Sequence, residues 1–74
     1  MNMMVNMMRE HIPQESRIHY VITKGGLAPN VVPDLAQVYY YVRHPKMNMV
    51  DELFERVVKI AEGAALGTGT TMDY

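Results

Sequence analysis

The sequence predicts an α+β domain in which two helices cover one face of an antiparallel sheet. Apolar residues recur at helical spacing near both ends of the 74-residue chain, and two segments between them alternate in polarity with a period of two. The order helix, strand, strand, helix and start of a further strand matches a ferredoxin-like split βαβ sandwich that lacks one strand. We therefore expect residues 1–74 to form a single, partial domain.

The first predicted helix covers about residues 2–12. The spacing is close to helical at Met4, Val5, Met7, Met8 and His11, and Pro13 ends the pattern because proline cannot supply the amide hydrogen that a helix needs. The helix begins without a capping residue. The residues after Gly69 begin an extended segment that is too short to form a complete strand. We interpret both chain ends as cuts inside structural elements.

The two predicted strands cover Arg17–Thr23 and about residues 36–43. In the first strand, Ile18, Tyr20 and Ile22 share one face. In the second, alternate residues from Ala36 to Val42 face one way, and Gln37, Tyr39, Tyr41 and Arg43 face the other. The loop between the strands contains two glycines and two prolines, which predicts a fairly rigid return of the chain.

The second predicted helix follows Pro45. Asn48 is placed to cap it, with Asp51 at the third helical position in a weak form of the capping box. One apolar stripe at helical spacing then runs from Val50 to Ala65, and Gly67 and Gly69 are expected to end the helix.

Composition narrows the possible functions. Seven Lys and Arg against eight Asp and Glu give a net charge of −1, which disfavours nucleic-acid binding. The chain has no Cys, consistent with a reducing compartment, and no apolar run of the roughly 20 residues that cross a bilayer, so we expect a cytoplasmic protein without membrane contact. Eight Met and five Tyr in a small chain suit an interface with a partner.

Several catalytic and metal-site interpretations have little support in the sequence. His11, His19 and His44 lack the convergent spacing of zinc ligands, and surface or interface positions are the better interpretation. Ser16 lacks the turn that exposes a nucleophile. Gly25 and Gly26 suit a hairpin rather than a phosphate loop. The tyrosines of VYYYVR would suit base stacking, but the balanced charge and the absence of an RNP pattern make an RNA-binding sandwich a minor alternative.

Asn30 and Arg43 are the candidate substrate-binding residues. An amide held between two prolines can donate to a developing oxyanion, and an arginine at a strand end can bind a carboxylate with two parallel hydrogen bonds. Taken alone, each residue type is more common as a turn residue or as a solvated charge.

The segments REHIPQESRIHYVITKGGLAPNVVPDLAQVYYYVR and ELFERVVKIAEGAALGTGT closely resemble the inserted dimerisation, or lid, domain of the aminoacylase and carboxypeptidase family of two-metal metallopeptidases. The resemblance implies a longer parent protein, with a catalytic domain that holds two zinc or manganese ions and a lid that pairs with its twin. It implies that Asn30 and Arg43 contact the substrate carbonyl or carboxylate. The family's metal ligands, general base and lid histidine match nothing in this chain, and His19 is not that histidine.

We therefore expect a homodimerisation and substrate-lid domain of a metal-dependent hydrolase that cleaves amide bonds in N-acyl or aminobenzoyl amino acids. This chain is expected to hold no catalytic residue and no metal or other cofactor. Dimerisation is expected through the free edge of the first strand and the Met-rich first helix. The alternative is a stand-alone small-molecule-binding or regulatory α+β module.

Overall fold

A computed structural model describes residues 1–74. The elements are a helix α1 (Asn2–Met8), a 3-10 turn (Arg9–His11), two strands β1 (Arg17–Lys24) and β2 (Gln37–Arg43), and a long helix α2 (Met47–Thr68). The two strands pair antiparallel, and both helices lie on the same face of the sheet. The predicted α+β arrangement is confirmed. Neither helix combines the length and apolar content that a membrane span requires.

The strand register decides which residues reach the core. Ile18 lies opposite Val42, and Tyr20 lies opposite Tyr40, so these four side chains share the face that the helices cover. Because side chains alternate along a strand, their neighbours point to the other face. The register becomes irregular near Thr23, whose hydroxyl donates to the Gln37 backbone carbonyl at 3.1 Å.

The core is small and lies between α1, α2 and one end of the sheet. Its buried cluster consists of Val5, Met8, Ile18 and Val57, and Ile18 is only 1% exposed. Six of the 74 residues are buried, which leaves little apolar burial to offset the entropy lost on folding. Ile22, predicted on the same face as Ile18 and Tyr20, is 55% exposed because the helices do not cover the loop end of the sheet.

Polar side chains of α1 and of the 3-10 turn after it contact the two strands around the tyrosines of the packed face. The Tyr40 hydroxyl donates to the Asn2 side-chain oxygen, and the Asn6 amide donates to the Tyr20 hydroxyl at 3.3 Å. Arg9 donates to the backbone carbonyl of Ile18 and lies 5.9 Å from the centre of the Tyr20 ring. These contacts fix the helix against β1 and β2 at points where an apolar side chain would leave a tyrosine hydroxyl unpaired.

The start of α2 differs from the prediction, whereas its end at Gly69 agrees with it. Asn48 does not cap the helix: α2 begins at Met47, and the extended residue Lys46 precedes it without a side-chain cap. The Lys46 carbonyl instead accepts from the amides of Met49 and Val50 at 3.1 and 3.2 Å. Gly69 ends the helix as predicted, with φ of +69°, whereas Gly67 remains helical. Residues 70–74 form no paired strand.

Ile18→Ala is expected to lower the free energy of unfolding by about 2–4 kcal/mol, because it removes side-chain volume from the only well-packed cluster. Ile22→Ala is the matched control: the same change on the same face of β1, where the side chain is 55% exposed, should cost less than about 1 kcal/mol. Urea unfolding followed by circular dichroism measures both. Equal losses in the two variants would contradict the location of the core.

Candidate functional site

The candidate site is the face of the sheet that no helix covers, which we call the bare face. β1 contributes Arg17, His19, Val21 and Thr23 to it, and β2 contributes Gln37, Tyr39, Tyr41 and Arg43. All eight residues are exposed. None of them is acidic, so the basic side chains on this face have no carboxylate beside them on the sheet.

Basic side chains gather at one end of the bare face. Arg17 and Arg43 are direct cross-strand partners, and a guanidinium nitrogen of Arg43 lies 3.4 Å from Nε2 of His19. Arg17 turns toward the preceding segment, where one of its nitrogens donates to the backbone carbonyls of Gln14 and Ser16, each at 2.7 Å. Arg43 has no backbone carbonyl of this kind and keeps donors free for an anion.

Two tyrosines follow the basic end along β2. The rings of Tyr39 and Tyr41 meet edge to face, with 5.3 Å between their centroids. A hydrogen bond with Tyr41 and the charge repulsion between the two phenolates raise the pKa of Tyr39, with a smaller contribution from burial. On the packed face, burial raises the pKa of Tyr40, and the charge of Tyr20 adds to the shift while Arg9 opposes it. The tyrosines of the bare face therefore form one aromatic surface.

Asn30 lies in the exposed loop between the strands. The amide of Val31 donates to the Ala28 carbonyl at 3.3 Å, which closes a turn with Pro29 and Asn30 at its two central positions. Arg43 lies at the end of β2 remote from this loop, since the six residue steps from Gln37 to Arg43 cover about 20 Å. The strands therefore do not bring the two candidate residues together.

His44 is the first residue after β2, and its side chain points away from the bare face. Only 7% of its side chain is exposed, and its Nδ1 accepts a hydrogen bond from the Lys46 amide at 2.9 Å, so the proton of the neutral ring resides on Nε2. That nitrogen lies 4.0 Å from a carboxylate oxygen of Glu15. The hydroxyl of the neighbouring buried residue Ser16 has no hydrogen-bond partner. His44 thus stabilises the turn into α2 rather than facing the bare face.

No three His, Asp or Glu side chains come together in an arrangement that could hold a metal ion. The chemistry that the bare face offers is recognition: donors for an anion at one end, and an aromatic surface beside them. The sequence predicts Arg43 as a candidate residue, and it favours a surface or interface position for His19. The alternation of β1 puts His19 on the same face as Arg17, but only the strand register puts His19 and Arg43 in contact.

Comparison with known proteins agrees with this architecture. The family model of the peptidase dimerisation domain matches residues 1–68, which is most of the chain. The chain belongs to this family. The match covers both helices and both strands, so it includes the bare face and the loop that carries Asn30.

Two kinds of curated relatives contain this domain. One subunit of the p-aminobenzoyl-glutamate hydrolase of Escherichia coli (strain K12) is 51% identical over 69 residues, which are 92% of this chain and 14% of that protein. The Xaa-Arg dipeptidases of Mus musculus and Homo sapiens are 32% and 29% identical, over 93% of this chain and 16% of each relative. The chain therefore spans about one seventh of the length of these relatives. No solved structure gives a significant match.

Tyr41→Phe is expected to lower the pKa of Tyr39 toward the ordinary tyrosine value, because it removes both the hydrogen bond and the charge that raise this pKa. Tyr39 would then lose its proton at a lower pH than in the unmodified chain. NMR of the tyrosine ring carbons across an alkaline pH series measures the change. Tyr74→Phe is the control and should leave the pKa of Tyr39 where it was; an unchanged value in Tyr41→Phe would contradict the coupling.

Proposed function

We propose that this chain is the dimerisation and substrate-lid domain of a longer, metal-dependent hydrolase that cleaves amide bonds in N-acyl or aminobenzoyl amino acids. The observation that carries the proposal is the bare face, which has binding groups and no helix over it. In a lid, such a face would be turned toward the catalytic domain. The two metal ions and the residues that activate water would belong to that domain.

The named relatives support this substrate class. One is a subunit of a p-aminobenzoyl-glutamate hydrolase and two are Xaa-Arg dipeptidases, so all three names describe cleavage of an amide bond next to an amino acid. The greater identity to the first favours the aminobenzoyl substrate for the parent of this chain. A stand-alone binding or regulatory module is less favoured, since the matched domain is part of far longer proteins in these relatives.

We assign Arg43 to the substrate carboxylate and Asn30 to the carbonyl that becomes an oxyanion. Arg43 offers a planar pair of donors at the edge of the bare face, which suits a carboxylate. Asn30 starts far from it, but the seven residue steps from Asn30 to Gln37 reach at most about 25 Å, so the loop is long enough to lie over the face. Closure of this loop on substrate would bring the two residues to one molecule.

We also propose that the domain pairs with a second copy through α1 and the free edge of β1. On α1, the exposed fractions of Met3, Met4 and Met7 are 73%, 42% and 60%. Such a group of exposed apolar side chains is unfavourable in water and suits contact with a partner. β1 pairs with β2 along one edge only, so its other edge carries unpaired backbone donors and acceptors. Two copies joined at this edge would form one continuous sheet.

The opposite edge of the sheet suits a further strand of the same domain. Beside β2, an apolar groove lies between the sheet, α2 and the final residues, with Val38, Phe54, Val58 and Met72 among its lining side chains. The ring of Phe54 lies 6.1 Å from that of Tyr74 across it. A strand added to β2 here would complete the ferredoxin-like sandwich and leave the edge of β1 for the second copy.

In the full-length protein, Asn30→Ala is expected to lower kcat for p-aminobenzoyl-glutamate by about 100-fold, the usual effect of losing an oxyanion donor. Arg43→Lys should raise KM about 10-fold, because lysine cannot bind a carboxylate through two parallel hydrogen bonds. Asn48→Ala, at an exposed position in the first turn of α2, is the control. Steady-state kinetics with added zinc or manganese measures all three, and near-normal kinetics for both site variants would refute the lid assignment.

The double variant Met3→Glu, Met7→Glu is expected to weaken the dimer of the 74-residue chain by at least about 10-fold in Kd, because two charges would be buried against apolar surface. Met47→Glu introduces the same change at a methionine that is 72% exposed on α2, and it should leave Kd unchanged. Light scattering across a dilution series gives the molar masses. Equal weakening by Met47→Glu would place the interface elsewhere.

A further inference from the structure

The basic end of the bare face contains more positive side chains than one carboxylate needs. Arg17 and Arg43 are direct cross-strand partners, an arrangement that is destabilising for like charges. His19 adds a third basic group, with its Nε2 at 3.4 Å from the Arg43 guanidinium. Arg17 is occupied by two backbone carbonyls, whereas His19 and Arg43 contact each other.

The surroundings do not neutralise this pair. No acidic residue lies on the bare face, and the one ion pair of the chain, between His44 and Glu15, involves the inward-turned histidine. A guanidinium nitrogen 3.4 Å from Nε2 of His19 leaves the ring either as an acceptor for Arg43 or, when an anion lies against both side chains, as a second donor. The geometry therefore suits a ligand that carries two negative groups a few ångströms apart.

We propose that His19 is the residue that selects an acidic amino acid in the substrate: Arg43 binds the α-carboxylate, and His19 donates to the side-chain carboxylate of a glutamyl residue. The inference rests on the proposed function, because it specifies the substrate of the same site. It extends that function by a residue on β1 and by a preference, glutamate over its neutral or cationic analogues.

Tyr41 places the rest of such a substrate. It lies directly opposite His19 and two residues from Arg43, about 7 Å along the strand. By standard bond lengths, a benzoyl ring and the α-carboxylate of its amino acid are roughly 6 Å apart. An aromatic acyl group can therefore rest on Tyr41 while the two carboxylates reach Arg43 and His19. An arginyl side chain would instead meet the guanidinium of Arg43, which repels it.

The decisive experiment uses the full-length protein and two nearly isosteric substrates, p-aminobenzoyl-glutamate and p-aminobenzoyl-glutamine. The unmodified protein should favour the glutamate substrate in kcat/KM, and His19→Gln should reduce that preference about 10-fold while changing kcat/KM for the glutamine substrate little. His11→Gln, an exposed histidine remote from the sheet face, is the control and should keep the full preference. A preference that His19→Gln leaves intact, or an equal loss for both substrates, would overturn the proposal.

A second measurement separates this inference from the proposed function. If the full-length protein cleaves neither substrate, the hydrolase assignment fails, but the binding preference is still testable by NMR on the 74-residue chain. The ring signals of His19 should shift and saturate with p-aminobenzoyl-glutamate in the millimolar range, and shift several-fold less with the glutamine analogue. Signals of His11 serve as the reference. Equal shifts of the His19 signals with both compounds would overturn the role of His19. The absence of any shift at ligand concentrations well above the millimolar range would overturn it too.

Discussion

The structure depends on one-sided packing of a two-stranded sheet. Ile18 lies under α1 and α2, with Val5, Met8 and Val57 around it, and these four side chains form the buried core cluster. Because residues alternate along a strand, the register that buries Ile18 also sends His19 and Tyr41 to the opposite face. A slip of one residue would exchange the two faces, so the core and the bare face are specified by the same pairing.

This constraint explains how the tyrosines divide between two tasks. Tyr20 and Tyr40 lie on the packed face, 5.1 Å apart, and polar groups of α1 satisfy their hydroxyls. Tyr39 and Tyr41 lie on the bare face and face solvent. The small core leaves both edges of the sheet and much of α1 uncovered, which is the condition expected of a domain that is stabilised by association. Membership of a dimerisation family is consistent with this small buried core.

The sequence was sufficient to predict the α+β class, both helices and both strands, because period-two and helical patterns are local and strong here. The cap of α2 was predicted wrongly, since Asn48 has the right chemistry but Lys46 already has the extended backbone at which the helix starts. The pairing of His19 with Arg43 depends on register between segments 24 residues apart, which no local pattern encodes. The distance from Asn30 to Arg43 depends in the same way on where the loop lies. The position of His19 relative to Arg43, and that of Asn30 relative to Arg43, therefore follow from the fold and not from the sequence pattern.

In the proposed assembly, β1 offers a free edge to a second copy while the bare face remains open for substrate. Amide hydrogen exchange of the 74-residue chain, followed residue by residue at low and high concentration, tests this central claim most directly. Alternate amides of β1 and the amides of α1 should gain protection as concentration rises, while side-chain signals of Tyr41 on the bare face should not change. Protection that is independent of concentration, or that rises along β2 instead, would contradict the claim.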